Sequence, residues 1–126
     1  MEKVKTDISE TVFVVCDVET TGLSPVFCRL TEISLIKIQN GEILDKFTTL
    51  INPQQHIPRE ITNLTGISNE DVINMPVFKE LAPKILAFIN SENTSLIFAG
   101  HNVSFDYKFL FHSFEREGIP FEMKTI

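Results

Sequence analysis

The chain has 126 residues, 43% of them apolar, enough to build one domain around its own core. Its formal charge is −6 with no basic block, which excludes a protein that coats nucleic acid by neutralising many phosphates, though not an enzyme that grips one end of it through metal ions. Two cysteines, Cys16 and Cys28, are too few for a disulfide scaffold. The N-terminus is no signal peptide and no apolar run could span a membrane, so a cytoplasmic setting without a membrane partner is the default.

Residues 1–10 read as a polar lead-in to a domain over 11–126. A first strand is predicted over Thr11 to Glu19, built on the β-branched and aromatic run Val12-Phe13-Val14-Val15. Thr20-Thr21-Gly22 ends it, Leu23-Ser24-Pro25 turns the chain, and Val26-Phe27-Cys28 makes a short apolar loop. A second strand runs from Leu30 to Gln39, with polar and apolar residues alternating except at Leu35-Ile36. Asn40-Gly41 is a strong tight-hairpin signal leading into a third strand, Glu42 to Ile51. The first three strands thus form an antiparallel meander.

Beyond Asn52-Pro53 the pattern becomes helical. A short helix is expected from Pro58 to Gly66, and Ser68-Asn69-Glu70-Asp71 reads as the capped start of another. A longer helix lies within Pro76 to Asn90, where Pro83 predicts a kink or a later start. Ser95 to Ala99 is a short apolar strand of the kind found in parallel pairing. A last helix follows over Val103 to Glu117, with Asn102 as its N-cap and Gly118 as its stop. Pro120 to Ile126 looks like the start of another strand. The class is α/β: three antiparallel strands, then a parallel one, with helices packed on the sheet.

The chemistry gathers at the end of the first strand. Alternation puts Asp17 and Glu19 on one face and Val18 on the other, and sends Cys16 toward the core. Two adjacent carboxylates repel each other, and a divalent cation with hard oxygen ligands compensates them at least cost. Asp106, in the first turn of the last helix, has two readings. It complements the helix dipole, or it reaches over the sheet edge toward Asp17 and Glu19, because ligand sites in α/β sheets gather at such strand ends.

Asp17-Val18-Glu19-Thr20-Thr21-Gly22-Leu23 resembles the first motif of the DEDD exonucleases, and His101-Asn102-Val103-Ser104-Phe105-Asp106 resembles the second. Within that superfamily the chain is most similar to the proofreading 3′→5′ exonucleases of bacterial replicative polymerases, the DNA polymerase III epsilon type. The resemblance implies an RNase H-like fold and a two-ion site for Mg²⁺ or Mn²⁺. Asp17 would bridge both ions, Glu19 would ligate the ion that activates water, and Asp106 would hold the second. It further implies that the backbone of Thr20, Thr21, Gly22 and Leu23 receives the terminal nucleotide, with Leu23 against its base, and that His101, Asn102 and Phe105 belong to the substrate side. Core packing is the simplest account of Phe105, together with Phe109, Phe111 and Phe114, since helical spacing explains most of the set. The implied partners are the 3′ end of single-stranded DNA and a polymerase subunit or a fused polymerase or helicase domain.

The family's third motif, a histidine base shortly before a fourth aspartate, has no counterpart in residues 107–126; His112 lies inside the last helix. The chain therefore reads as the N-terminal portion of the domain, impaired by itself and exposing apolar surface through which copies self-associate. Two alternatives stay open: an inert RNase H-like binding or interaction module, and an exoribonuclease relative.

Overall fold

A computed structural model describes residues 11–90 and 96–125. The lead-in assigned to residues 1–10 lies outside it, as do Ser95 and Ile126. Strands β1 (Val12–Thr20), β2 (Leu30–Gln39) and β3 (Glu42–Leu50) form the antiparallel meander, and β4 (Leu96–Ala99) pairs parallel to β1, giving the order β3-β2-β1-β4. Helices α1 (Arg59–Thr65), α2 (Asn69–Val72) and α3 (Phe78–Ile89) separate β3 from β4, and α4 (Val103–Arg116) follows β4.

Local chemistry sets most boundaries. The β2–β3 turn needs positive φ at both central residues, and Asn40 (52°) and Gly41 (80°) supply it. Helix α2 starts with a reciprocal capping box: Ser68 Oγ accepts from Asp71 N at 3.2 Å, and Ser68 N donates to Asp71 Oδ2 at 2.9 Å. Helix α3 begins at Phe78 and continues through Pro83, so the expected later start does not occur. Asn102 stands at the N-cap position of α4, but its side chain makes no capping bond, and Glu117 is the C-cap rather than the last helical residue.

One face of the sheet carries the main core. Val14, Cys16 and Val18 of β1 and Ile33 and Leu35 of β2 pack against α3 and α4 through Leu81, Ile85, Phe109 and Phe114. Phe114 joins the layers, its ring 4.9 Å from Phe78 and 4.8 Å from Phe121. A smaller cluster of Ile57, Ile67 and Val72 supports α1 and α2. The apparent break in alternation at Leu35-Ile36 is resolved by the backbone, which keeps its period of two and turns Lys37 inward. Only 1% of Lys37 is exposed, and its ammonium lies 4.7 Å from the centroid of the Phe88 ring. A one-residue slip would have inverted every side chain of the strand, at far greater cost than burying one lysine stem.

Past α4 the chain returns to the sheet. Phe98 N donates to Lys124 O at 2.7 Å, and Thr125 forms a single parallel bridge with Phe98, so the strand expected from Pro120 is met only as this bridge among the described residues. No described helix is long and apolar enough to cross a membrane.

Candidate active site

Along β1, Val14, Cys16 and Val18 are buried while Asp17 is exposed and Glu19 half-buried, so the two carboxylates share a face as their spacing predicts. The pairing with β2 shifts register between Glu19 and Thr20, and this irregularity falls where the strand hands over to the turn. Directly opposite Glu19 on β2 stands Glu32, a further acid that sequence reading passed over. Burial, then Asp17, then Glu32 push the Glu19 carboxyl above its usual range.

Asp106 reaches this strand end from α4. The β1–β4 pairing stops at Val15 and Ala99, and beyond it the Asp106 carboxylate accepts a hydrogen bond from the backbone of Val18. A side-chain oxygen thus takes over from β4 as acceptor along the edge of β1. Asp106 is only 4% exposed, and its carboxyl is pushed up to about 6. Burial is the main cause and the charge of Asp17 the next; the Val18 bond and His101 oppose the rise. Of the two readings of Asp106, reach over the sheet edge is what the structure displays.

The close approach depends on Gly100. A Cβ on this residue would lie 2.7 Å from Cys16 O and 2.9 Å from Asp106 Oδ2, so only glycine lets the chain leave β4 this near to β1. Cys16 is buried, and burial with the charges of Asp106 and Asp17 pushes its thiol up, as befits a core residue.

The turn after Glu19 is tied down by its own hydroxyls. Thr20 Oγ1 donates to Gly22 O at 2.6 Å, and Arg29 N donates to Thr21 Oγ1 at 3.0 Å. Thr21 Oγ1 in turn donates to Gln55 Oε1. Thr20 and Thr21 are buried, whereas Leu23 is 83% exposed and open to a ligand. At Gly22 a Cβ would come within 2.6 Å of Cys28 Sγ, so the close neighbour of this glycine is the thiol across the loop. His101 and Asn102 are exposed beside the start of α4. Phe105 is half-buried with its ring 4.8 Å from Phe109, joining the core edge.

Asp17, Glu19 and Asp106 therefore converge, with Glu32 added. Among the described residues no three His, Cys, Asp or Glu side chains close a metal cage by themselves. The mutual repulsion registered at Glu19 and Asp106 is what a divalent cation would relieve, and carboxylate oxygens are the donors such a cation takes. His112 is occupied on α4, its Nδ1 3.0 Å from Glu115 Oε1.

A mixed sheet whose acids meet at the junction of an antiparallel and a parallel strand defines an α/β domain with an acidic strand-end site. The chain belongs to the RNase T exonuclease family, whose profile matches residues 14–125. Among curated proteins it is 43% identical over 98 residues to the PolC-type DNA polymerase III of Thermotoga petrophila, covering 78% of this chain and 7% of that one. It is 35% identical over 113 residues to the PolC-type enzyme of Staphylococcus saprophyticus, covering 90% of this chain and 8% of that one. The chain thus spans less than a tenth of these relatives. Its fold matches a product-bound exonuclease I with a TM-score of 0.78 at 16% identity, over 93% of this chain and 30% of that one. E. coli exonuclease I in complex with a dA16 oligonucleotide matches with a TM-score of 0.77 at 18% identity, over 87% and 25%.

Proposed function

We propose that this chain carries the metal-binding and nucleotide-seating residues of a 3′→5′ exonuclease that removes nucleotides from the 3′ end of DNA. The observation that carries the reading is the meeting of Asp17, Glu19 and Asp106 at one strand end, with Asp106 held against β1 by Val18 and its carboxyl raised by burial and by Asp17. Membership of an exonuclease family and similarity to PolC-type polymerases support it.

Asp17, Glu19 and Asp106 would hold Mg²⁺ or Mn²⁺, and two such ions supply positive charge to the attacking and leaving oxygens of a phosphodiester. The chain's own residues do the rest. The hydroxyl-tied turn from Thr20 to Leu23 seats the terminal nucleotide, Leu23 offers its exposed side chain to the base, and His101 and Asn102 flank the opening. The polymerase relatives make a larger replication assembly the natural partner, and the unpaired cysteines fit a cytoplasmic setting. Titration calorimetry with Mn²⁺ tests the reading: uptake by the wild type and its loss in Asp17→Ala are expected.

A second reading, an inert binding module of the same fold, draws on the histidines. His112, the histidine that follows Asp106 among the described residues, pairs with Glu115 on α4, and the imidazole that acts on Asp106 is His101 instead. If the chain takes up no Mn²⁺, or takes it up equally well as Asp17→Ala, the inert module replaces the nuclease. Hydrolysis by the 126-residue polypeptide is expected to be weak, since loss of a general base typically costs about 10³-fold.

A further inference from the structure

The loop that continues from the Leu23 seat is held with unusual thoroughness. Arg116 Nη2, at the end of α4, donates to Pro25 O at 3.1 Å, Val26 O at 3.3 Å and Cys28 O at 3.1 Å. Gln55 Nε2 takes the remaining carbonyl, Phe27 O, at 3.2 Å. Inside the loop Cys28 N donates to Ser24 O at 2.7 Å and Phe27 N to Ser24 Oγ at 3.2 Å. Every carbonyl from Pro25 to Cys28 is thereby engaged.

Yet the same loop holds large apolar side chains out in water: Leu23 is 83% exposed, Val26 54% and Phe27 79%. Exposed apolar groups on a pre-ordered support are the make-up of a recognition surface, because little ordering entropy is left to lose on binding. The loop is continuous with the turn beside Glu19, and α4 runs from Asp106 at β1 to Arg116 on the loop carbonyls. Asp106 lies at the carboxylate end and Arg116 about 15 Å further along the helix axis, at 1.5 Å per residue. That length matches a few stacked nucleotides at about 3.4 Å each. An aromatic ring is the group that holds bases without reading their identity.

We propose that Phe27, with Val26 beside it, is a stacking platform for the unpaired bases that precede the terminal nucleotide, and that Arg116 is the positioning residue that keeps it in place. The proposal rests on the nuclease reading and adds a binding surface to it. The test uses the 126-residue chain with Mn²⁺ and a single-stranded oligonucleotide whose 3′ linkages are phosphorothioates, carrying 2-aminopurine next to the terminal position.

Wild-type protein is expected to bind it and quench the probe. Phe27→Ala should weaken binding by about 5- to 150-fold, the effect of losing one stacked base, and release the quench. Phe27→Tyr should restore both. Arg116→Ala should release the quench while leaving Mn²⁺ uptake unchanged, and neither variant should alter the slope of affinity against salt, which counts phosphate contacts. Binding and quench unchanged in Phe27→Ala overturn the platform and leave the nuclease reading standing; that outcome would turn the loop into a surface for a protein. A chain that takes up Mn²⁺ but binds no oligonucleotide overturns the platform and the DNA-substrate reading together.

Discussion

At Gly100 the difference between an assembled and a displaced carboxylate is one methyl group. Adding it would press on a backbone carbonyl of β1 and on Asp106 Oδ2, and the backbone atom cannot swing away. Gly100→Ala is expected to cost about 1–3 kcal/mol of stability by overpacking, and to lower Mn²⁺ affinity about tenfold or more through Asp106. Thermal melts and calorimetry on the same sample read both effects, and unchanged metal affinity would show that Asp106 adapts. Asp106 itself has a pH signature in metal-free protein. Its carboxyl titrates near 6 when folded against an ordinary value of 3.8, so the folded state holds a proton that the unfolded chain releases. Stability is therefore highest below about pH 4 with respect to this group and falls as pH rises to about 6. Asp106→Asn should accordingly be more stable than wild type in EDTA at pH 7, by up to roughly 3 kcal/mol at about 1.4 kcal/mol per tenfold change in proton affinity. If the two melt together, the carboxyl is not strained.

Among the elements, α3 carries the clearest local conflict. Pro83 sits inside the helix, where it has no N–H to give to the carbonyl of Lys79 and crowds that turn. Its own ring is exposed, so little packing is lost on replacing it. Pro83→Ala is expected to raise stability by about 1–3 kcal/mol, read as a higher urea midpoint at unchanged slope. What was legible in the sequence follows the same local logic. The Asn40-Gly41 turn, the Ser68 cap and the shared face of Asp17 and Glu19 all depend on neighbours in sequence, and all appear as expected. What was not legible depends on residues far apart. The nearness of Gly100 to β1, the hold of Arg116 on the Pro25 loop and the inward turn of Lys37 exist only once the sheet and α4 have met. Asn102 shows the limit of a local rule, standing at the cap position without making the cap.

On the scale of the whole molecule, apolar surface is unevenly distributed. Tyr107 and Phe111 of α4, with Ile119, Pro120 and Phe121, line an open groove of about 650 Å³. A groove of this character favours association of copies through it. Sedimentation of the 126-residue chain is expected to show a concentration-dependent shift above the monomer, reduced by Phe111→Glu. A monomer at every concentration would remove this surface from consideration.

The way Asp106 replaces β4 beside β1 also has a consequence in time. Asp17 and Glu19 come into place with a hairpin between neighbouring strands, but Asp106 arrives only when Val15 meets Ala99, across most of the chain. Contacts so distant in sequence close late, because the loop entropy must be met before they return any energy. The proposed metal site should accordingly mature after most of the secondary structure has formed. In refolding experiments, far-ultraviolet dichroism should recover ahead of Mn²⁺ binding, and the lag between them would time the docking of α4.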